Sequence, residues 1–320
     1  MVCSTCHSEK PKINPDLLKD LHYIEEFHYN RIIIFVLIYA FATYMAIATA
    51  KAVDNPWCYA INLPLYIIAA ASLHGISLFT HEGVHSVLST NPQWNRILSI
   101  VCALPVLQNY SAYKVLHLQH HKNLGDSGDP DHYKNYTKWN WLVFTMYWGR
   151  LLIGYPFYLI AIPILGFRQG NTKDKVWITI EVILMGLLIT TLLYWPIPNS
   201  FLIHGWVIPM LFINTMVNIR GMSQHTLLEH ENDLIRGTRT ILTNPITRFF
   251  MCNENYHLEH HLYLAVPWYK LNRLHQEIKE QLISQNAPYI PSYTSFVTDF
   301  VFASLGNKTV GSIAIHNQEP

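Results

Sequence analysis

The chain has 320 residues, half of them hydrophobic and only 13% Asp, Glu, Lys or Arg. A soluble domain carries roughly 25% of those charged residues, so this composition excludes an ordinary soluble protein, and it equally excludes disorder. A formal net charge of +1 offers no basic field for nucleic acid, and five cysteines cannot make a disulfide scaffold. The number that needs a cause is 18 histidines against 22 Lys and Arg, and metal is the first candidate.

Residues 1–30 are polar, carry Glu9, Asp16, Asp20, Glu25 and Glu26, and contain nothing like a cleavable signal peptide. Cys3-Ser4-Thr5-Cys6-His7 has the haem-attachment spacing, but with no export signal it reads as a tail with two reduced thiols. Apolar runs long enough to cross a hydrocarbon core, or nearly so, follow at Ile32–Ala50, Cys58–Phe79, Val176–Trp195 and Phe201–Val217. Glu181 stands one turn inside the third, near enough to its end to reach the interface. Ile97–Leu107 is too short to span and contains Pro105, so it reads as re-entrant or interfacial. Leu151–Phe167 is interrupted by Gly154, Pro156 and Pro163. It too is placed at the interface, because a single crossing there would put the histidine clusters on opposite sides. Lys51 is the one basic residue of the outer loops, whereas Arg31, Arg168, Lys173, Lys175 and Arg220 flank the other ends, so both termini should face the cytoplasm. Val266, Tyr269, Leu271, Leu274 and Ile278 fall near helical spacing and predict an interfacial helix. The expected fold is an all-α integral membrane protein. It has four transmembrane helices, interfacial helices and a cytoplasmic histidine-rich cap holding a dinuclear metal site. The expected segments are a cytoplasmic N-terminal 1–30, a membrane domain 31–285 and a C-terminal tail 286–320.

Three histidine clusters stand out: His81-Glu82-Gly83-Val84-His85, His117-Leu118-Gln119-His120-His121 and His257-Leu258-Glu259-His260-His261. Spacings of three and four residues put each cluster's imidazoles on one helical face, where two or three nitrogens converge from one turn. Neutral imidazole suits zinc, copper, iron or nickel, so the spacing does not name the metal. Eight such ligands exceed one tetrahedral ion and suit two ions with open positions. Asp129 and Asp131, in a Gly-rich turn after the second cluster, could orient ligating imidazoles or simply shape the turn. His74 lies seven residues before His81 on nearly the same face, and reads equally as a functional group or a helix-packing histidine. Glu82 and Glu259 fall on other faces of their clusters.

These three boxes, their order and their positions after hydrophobic pairs resemble the membrane fatty acid desaturase superfamily. The resemblance is closest from Arg220 to Leu271, through "RGMSQHTLLEHEN" and "NENYHLEHHLYLAVPWYKL", and covers about residues 30–285. It implies a centre of two iron ions with O₂ as co-substrate. The implied ligands are His81, His85, His117, His120, His121, His257, His260 and His261. A ninth, His225, closes a pattern in which Gln224 replaces the family's usual Glu; His230 is the fallback. The implied activity is oxygen-dependent desaturation of a long acyl chain, in which two hydrogens leave an unactivated chain and water forms. Hydroxylation or ketolation of a lipid or carotenoid on the same centre is the alternative, because ligand motifs do not separate the outcomes. HEGVH also has the zinc-protease HExxH pattern, but an intramembrane zinc protease would leave six histidines unexplained. The implied partners are a lipid or acyl-chain substrate and a separate electron donor, a ferredoxin or a cytochrome, with no nucleic acid.

Overall fold

Helices occupy most of the computed structural model, which describes residues 8–53, 55–228 and 232–305. The CxxCH motif and His230 lie outside the described residues. Helix α1 (Pro15–His22) starts at Asn14, whose side chain accepts from Asp16 N–H. The uniformly apolar α2 (Asn30–Ala52) precedes the short α3 (Trp57–Ile61) and then α4 (Leu63–Val84), which has a proline in its first turn. Next come α5 (Pro92–Ala103) and α6 (Tyr110–Lys122). The long α7 (Asn140–Gln169) leads to α8 (Thr172–Tyr194), which opens on a capping box of Asn171 and Asp174. A π-helical stretch, Phe201–Val207, runs into α9 (Ile208–His225). The remaining elements are β1 (Thr240–Ile241), α10 (Pro245–Phe250), α11 (His257–Leu262), α12 (Leu271–Ser284), β2 (Tyr289–Ile290) and α13 (Tyr293–Leu305). Strands β1 and β2 pair in parallel, Thr240 with Tyr289 and Ile241 with Ile290.

Two compact units share the chain. One comprises the described parts of Met1–Ile24, His117–Leu151 and Asn218–Pro320; the other comprises those of Glu25–Leu116 and Leu152–Val217. In the first, α12 buries Leu271, Leu274, Ile278 and Leu282 against Leu21, Leu258, Leu262 and Val266. The apolar stripe expected to lie on a membrane interface is therefore spent on the unit's own core. Residues beyond 285 add to this unit: β2 joins β1, and Phe296 and Phe300 of α13 pack with Met222 and Ile241. The N-terminal strand of chain is tied to α12 by two glutamines. Gln281 bonds both the N–H and the C=O of Lys12, and Gln285 does the same for Glu9, at 2.8–2.9 Å.

The second unit is built largely as lipid requires, with most backbone polar groups satisfied inside helices and several buried side-chain polar groups paired across helices. Asn62 donates to the Ala46 carbonyl at 2.8 Å, Tyr39 to the Gly205 carbonyl at 2.8 Å, and Tyr66 meets His204 Nδ1 at 2.5 Å. On α2, Ile33, Leu37, Phe41 and Tyr44 remain exposed, a lipid-facing stripe, while Phe35, Ala42 and Ala46 are buried. Gly75 lets Phe35 lie flat on α4: a Cβ there would stand 2.5 Å from the ring. Helix α5, too short to span, exposes Trp94, Ile97 and Val101 and buries Asn95 and Ser99, the inverse of a soluble amphipathic helix.

Among the described residues, five helices are long and apolar enough to cross a membrane: Glu26–Ala52, Leu63–Val84, Asn140–Gln169, Thr172–Tyr194 and Phe201–His225. The fifth beyond the expected four is α7, which contains Leu151–Phe167. It is two helical stretches joined at a kink. The chain kinks at Ile153 (φ −140°, ψ 19°), ahead of Pro156. The Leu152 carbonyl that Pro156 cannot serve receives Asn214 Nδ2 at 3.1 Å, and the Tyr155 N–H donates to Asn214 Oδ1 at 2.8 Å. One asparagine on α9 thus repairs both backbone groups. Glu181 likewise departs from expectation. It does not reach for the interface; it is buried and accepts from Ser111 N at 2.9 Å and Ser111 Oγ at 2.5 Å, in the first turn of α6. Helix α4 runs past the expected end of its span at Phe79, continuing to Val84, so His81 lies within the helix rather than after it.

Candidate metal centre

In the first unit, α6, α9 and α11 bring seven histidines together. Nitrogens of His120, His225 and His261 lie within 4.8 Å of one another, and so do nitrogens of His117, His121 and His260. His257 joins the former group, with its Nε2 3.2 Å from that of His225 and 3.1 Å from that of His261. The other close Nε2 pairs are His120 with His225 at 3.3 Å, His117 with His121 at 2.9 Å and His121 with His260 at 3.2 Å.

The rings are aimed by groups behind them. His120 Nδ1 donates to Asp129 Oδ1 at 2.9 Å, and His225 Nδ1 donates to the Gly237 carbonyl at 3.1 Å. Neither acceptor carries a proton, so both imidazoles hold their hydrogen on Nδ1 and, when neutral, turn Nε2 lone pairs toward each other. Facing lone pairs at 3.3 Å repel. A cation between them removes the conflict, and the spacing fits one. Ligand bonds of about 2.1 Å place neighbouring nitrogens about 3.0–3.4 Å apart in octahedral or tetrahedral coordination. The nitrogen-only donor set suits a borderline transition metal rather than calcium or magnesium.

Asp129 is itself fixed by the N–H groups of Gly125 and Asp131, both at 2.9 Å. Burial would raise its pKa, but the hydrogen bond and charge of His120, with those two N–H groups, hold it below the usual carboxylate range. His120 is the mirror case: burial disfavours its charge, yet Asp129 and the nearby Asp131 hold its pKa above the usual value. Burial and the crowd of imidazoles, His121 first, push His261 well below the ordinary histidine value, which keeps its lone pair available. Behind His257, Glu254 lies 3.5 Å from Nδ1 and is paired with Arg220 at 3.2 Å. A cavity of about 50 Å³ lies beside His120 and His225, lined also by Asp129, Asp131, Tyr147 and Arg150. It has room for roughly three waters.

In the second unit, His81 and His85 end α4 with their nitrogens within 4.8 Å and their rings edge to face at 4.9 Å. The chain turns sharply there: Ser86 has φ 61° and Val87 N–H bonds back to the Glu82 carbonyl at 3.0 Å. Between the two histidines, Gly83 accepts from Asn95 Nδ2 at 2.8 Å and Tyr110 Oη at 2.9 Å. Its missing side chain makes that approach possible, since a Cβ would stand 1.7 Å from Ser99 Oγ. His74 is buried two turns earlier in α4.

Of the residues singled out from sequence, Asp129 contacts a clustered histidine directly, whereas Asp131 meets Asp129 through its backbone N–H. Sequence reasoning missed the Gly237 carbonyl, which no side-chain pattern could reveal. It also missed Arg220 with Glu254, although both lie inside the quoted motifs. Glu259, whose place on another face of its box suits either a surface group or a support behind the ligands, is wholly buried and bonded to Thr240 and His275.

Residues 55–293 match the family model described as fatty acid desaturase. The chain is 26% identical to the sphingolipid delta(4)-desaturase DES1 of Drosophila melanogaster over 254 residues, 78% of this chain and 74% of the relative. It is 25% identical over 249 residues to the sphingolipid delta(4)-desaturase/C4-monooxygenase DES2 of Homo sapiens, 75% and 72% of the two chains. With the sn-1 acyl-lipid omega-3 desaturase (ferredoxin) of a Nostoc strain it shares 19% identity over 291 residues, 83% and 76%.

Proposed function

The chain belongs to the fatty acid desaturase family, and from that premise we propose that it is an oxygen-dependent di-iron oxidoreductase that introduces a double bond into a long acyl chain. The observation carrying this reading is the set of Nε2 atoms in the first unit, gathered at 2.9–3.3 Å with their Nδ1 partners behind them. The ligands proposed are the nine histidines His81, His85, His117, His120, His121, His225, His257, His260 and His261. Asp129 holds His120, and the Gly237 carbonyl holds His225, in the tautomer that leaves Nε2 free for iron. When bound, the irons would pass the donor's electrons to O₂ and so supply the oxidising power that removes hydrogen from an unactivated carbon. The chain's own task is to hold the imidazoles neutral and aimed, and to present the lipid in a dry apolar setting. Electrons come from a separate ferredoxin or cytochrome. A relative's name pairs desaturase with C4-monooxygenase, which favours hydroxylation as the second reading: the same first hydrogen loss, with oxygen gained instead of a second hydrogen lost.

We place four crossings in the membrane, with both termini and the metal centre on the cytoplasmic side. Parity supports four. Helices α7, α8 and α9 separate His120 from His225 in the chain, yet their Nε2 atoms are 3.3 Å apart. Three single crossings would leave those residues on opposite faces; two return the chain to the same one. The kinked α7 is the helix assigned to the interface.

The test is product mass together with iron count in the detergent-purified protein supplied with an electron donor. Two irons per chain and a product lighter by two hydrogens support the proposal. A product heavier by one oxygen selects hydroxylation. One metal per chain, with activity lost in Glu82→Gln, revives the zinc-protease reading of HEGVH.

A further inference from the structure

Helix α11 has six residues, His257–Leu262, and helices below about 12–15 residues do not hold themselves. It nevertheless supplies His260 to one group of nitrogens and His257 and His261 to the other. On another side, Leu258 and Leu262 enter the apolar core. Apolar contact is non-directional, so Leu258 and Leu262 fix how deep α11 sits and which face is buried, but set its rotation only coarsely. The residue left over is Glu259, wholly buried and neither ligand nor core. Its carboxylate accepts from Thr240 Oγ1 of β1 at 2.8 and 3.0 Å, and from His275 Nδ1 of α12 at 2.5 Å. Both partners are themselves held. Thr240 is paired to Tyr289 in the two-stranded sheet, and the His275 ring lies 4.9 Å from that of Tyr256 and 6.0 Å from that of Tyr289.

We propose that Glu259, gripped by Thr240 and His275, is the positioning residue that sets the rotation of α11 and so aims His257, His260 and His261 at the irons. The leverage is large. With Cα atoms about 2.3 Å from a helix axis and Nε2 roughly 4 Å further out, a turn of about 10° moves Nε2 by about 1 Å. Metal–ligand distances tolerate about 0.2 Å. Two directional bonds from two separate elements resist that rotation where packing does not.

The inference rests on the di-iron reading, and the experiment separates the two. The full-length wild-type protein, Glu259→Gln and Thr240→Val are purified in detergent, loaded anaerobically with ferrous iron, and compared by iron affinity, Mössbauer spectrum and metal-free thermal unfolding. The expected result is metal-free unfolding like wild type in Thr240→Val, with iron bound about tenfold or more weakly and a changed spectrum. Glu259→Gln should show the same loss or a larger one. A merely structural role would lower the unfolding temperature and leave the spectrum of the bound iron unchanged. If Glu259→Gln does not fold, Thr240→Val decides alone, since it keeps the carboxylate and His275. Wild-type affinity and spectrum in Thr240→Val and in any folded Glu259→Gln overturn the inference. A wild-type protein that binds no iron overturns the di-iron reading instead, and this inference with it.

Discussion

The two ends of the histidine set are held by opposite means. His81 and His85 close a 22-residue helix that is buried by shape: Phe35 lies on Gly75, and Ser99 sits where Gly83 has no side chain. His257, His260 and His261 ride on six residues held by polar ties to β1 and α12, with Glu254 beside His257. The difference follows from solvent. In hydrocarbon there is no hydrophobic drive between helices, so close packing and small residues must do the fastening. In the first unit, a conventional apolar core sets depth and hydrogen bonds set direction.

That contrast can be broken in graded steps. The largest effect is expected from His260→Ala, which should reduce turnover below detection while the protein still accumulates in the membrane; retained turnover would remove His260 from the ligand set. Gly83→Val comes next. It should abolish activity without touching any histidine, because a branched side chain cannot enter the space taken by Ser99, and wild-type activity would refute the packing half of the comparison. Asp129→Asn should keep the fold and weaken iron binding by about 10–100-fold, read by titration of the metal-free protein. Asn214→Leu tests the repaired kink. Leaving the Leu152 carbonyl and Tyr155 N–H unserved should cost about 2–4 kcal/mol, seen as a lower unfolding temperature with the iron spectrum unchanged.

The smallest effect concerns acid. Burial opposes charge on Asp233, but Arg236, Ser8 and two backbone N–H groups outweigh it and hold its pKa below the usual carboxylate range. A group whose folded pKa is depressed stabilises above its unfolded pKa, and that stability fades as pH falls toward the folded value. Asp233→Asn should therefore lose a little stability at neutral pH and flatten the decline below about pH 4; an unchanged acid profile would show that the tie does not matter.

Much of this was legible because lipid and metal both impose short rules. Four apolar runs are legible by length, although α4 starts only at Leu63, with Pro64 in its first turn. The three boxes were legible because ligand spacing is local. Leu151–Phe167 was placed by chemistry rather than hydropathy. The kink at Ile153 and its repair are not legible locally, because Asn214, which serves the backbone groups around Pro156, lies 58 positions further on. Glu181 was misjudged for a similar reason, since its partner Ser111 belongs to a distant segment. The stripe on α12 showed an apolar face without saying what would cover it.

By itself, then, the sequence determined the membrane class, the mostly helical build and which residues could bind metal, because periodicity and i, i+3, i+4 spacing act within one or two turns. Only the tertiary structure decided how the imidazoles are aimed. The Gly237 carbonyl behind His225, Asp129 behind His120 and the grip of Thr240 and His275 on Glu259 are directional bonds. Apart from Asp129, nine residues from His120, these partners lie 12–19 residues from the groups they hold, too far for any local pattern to encode.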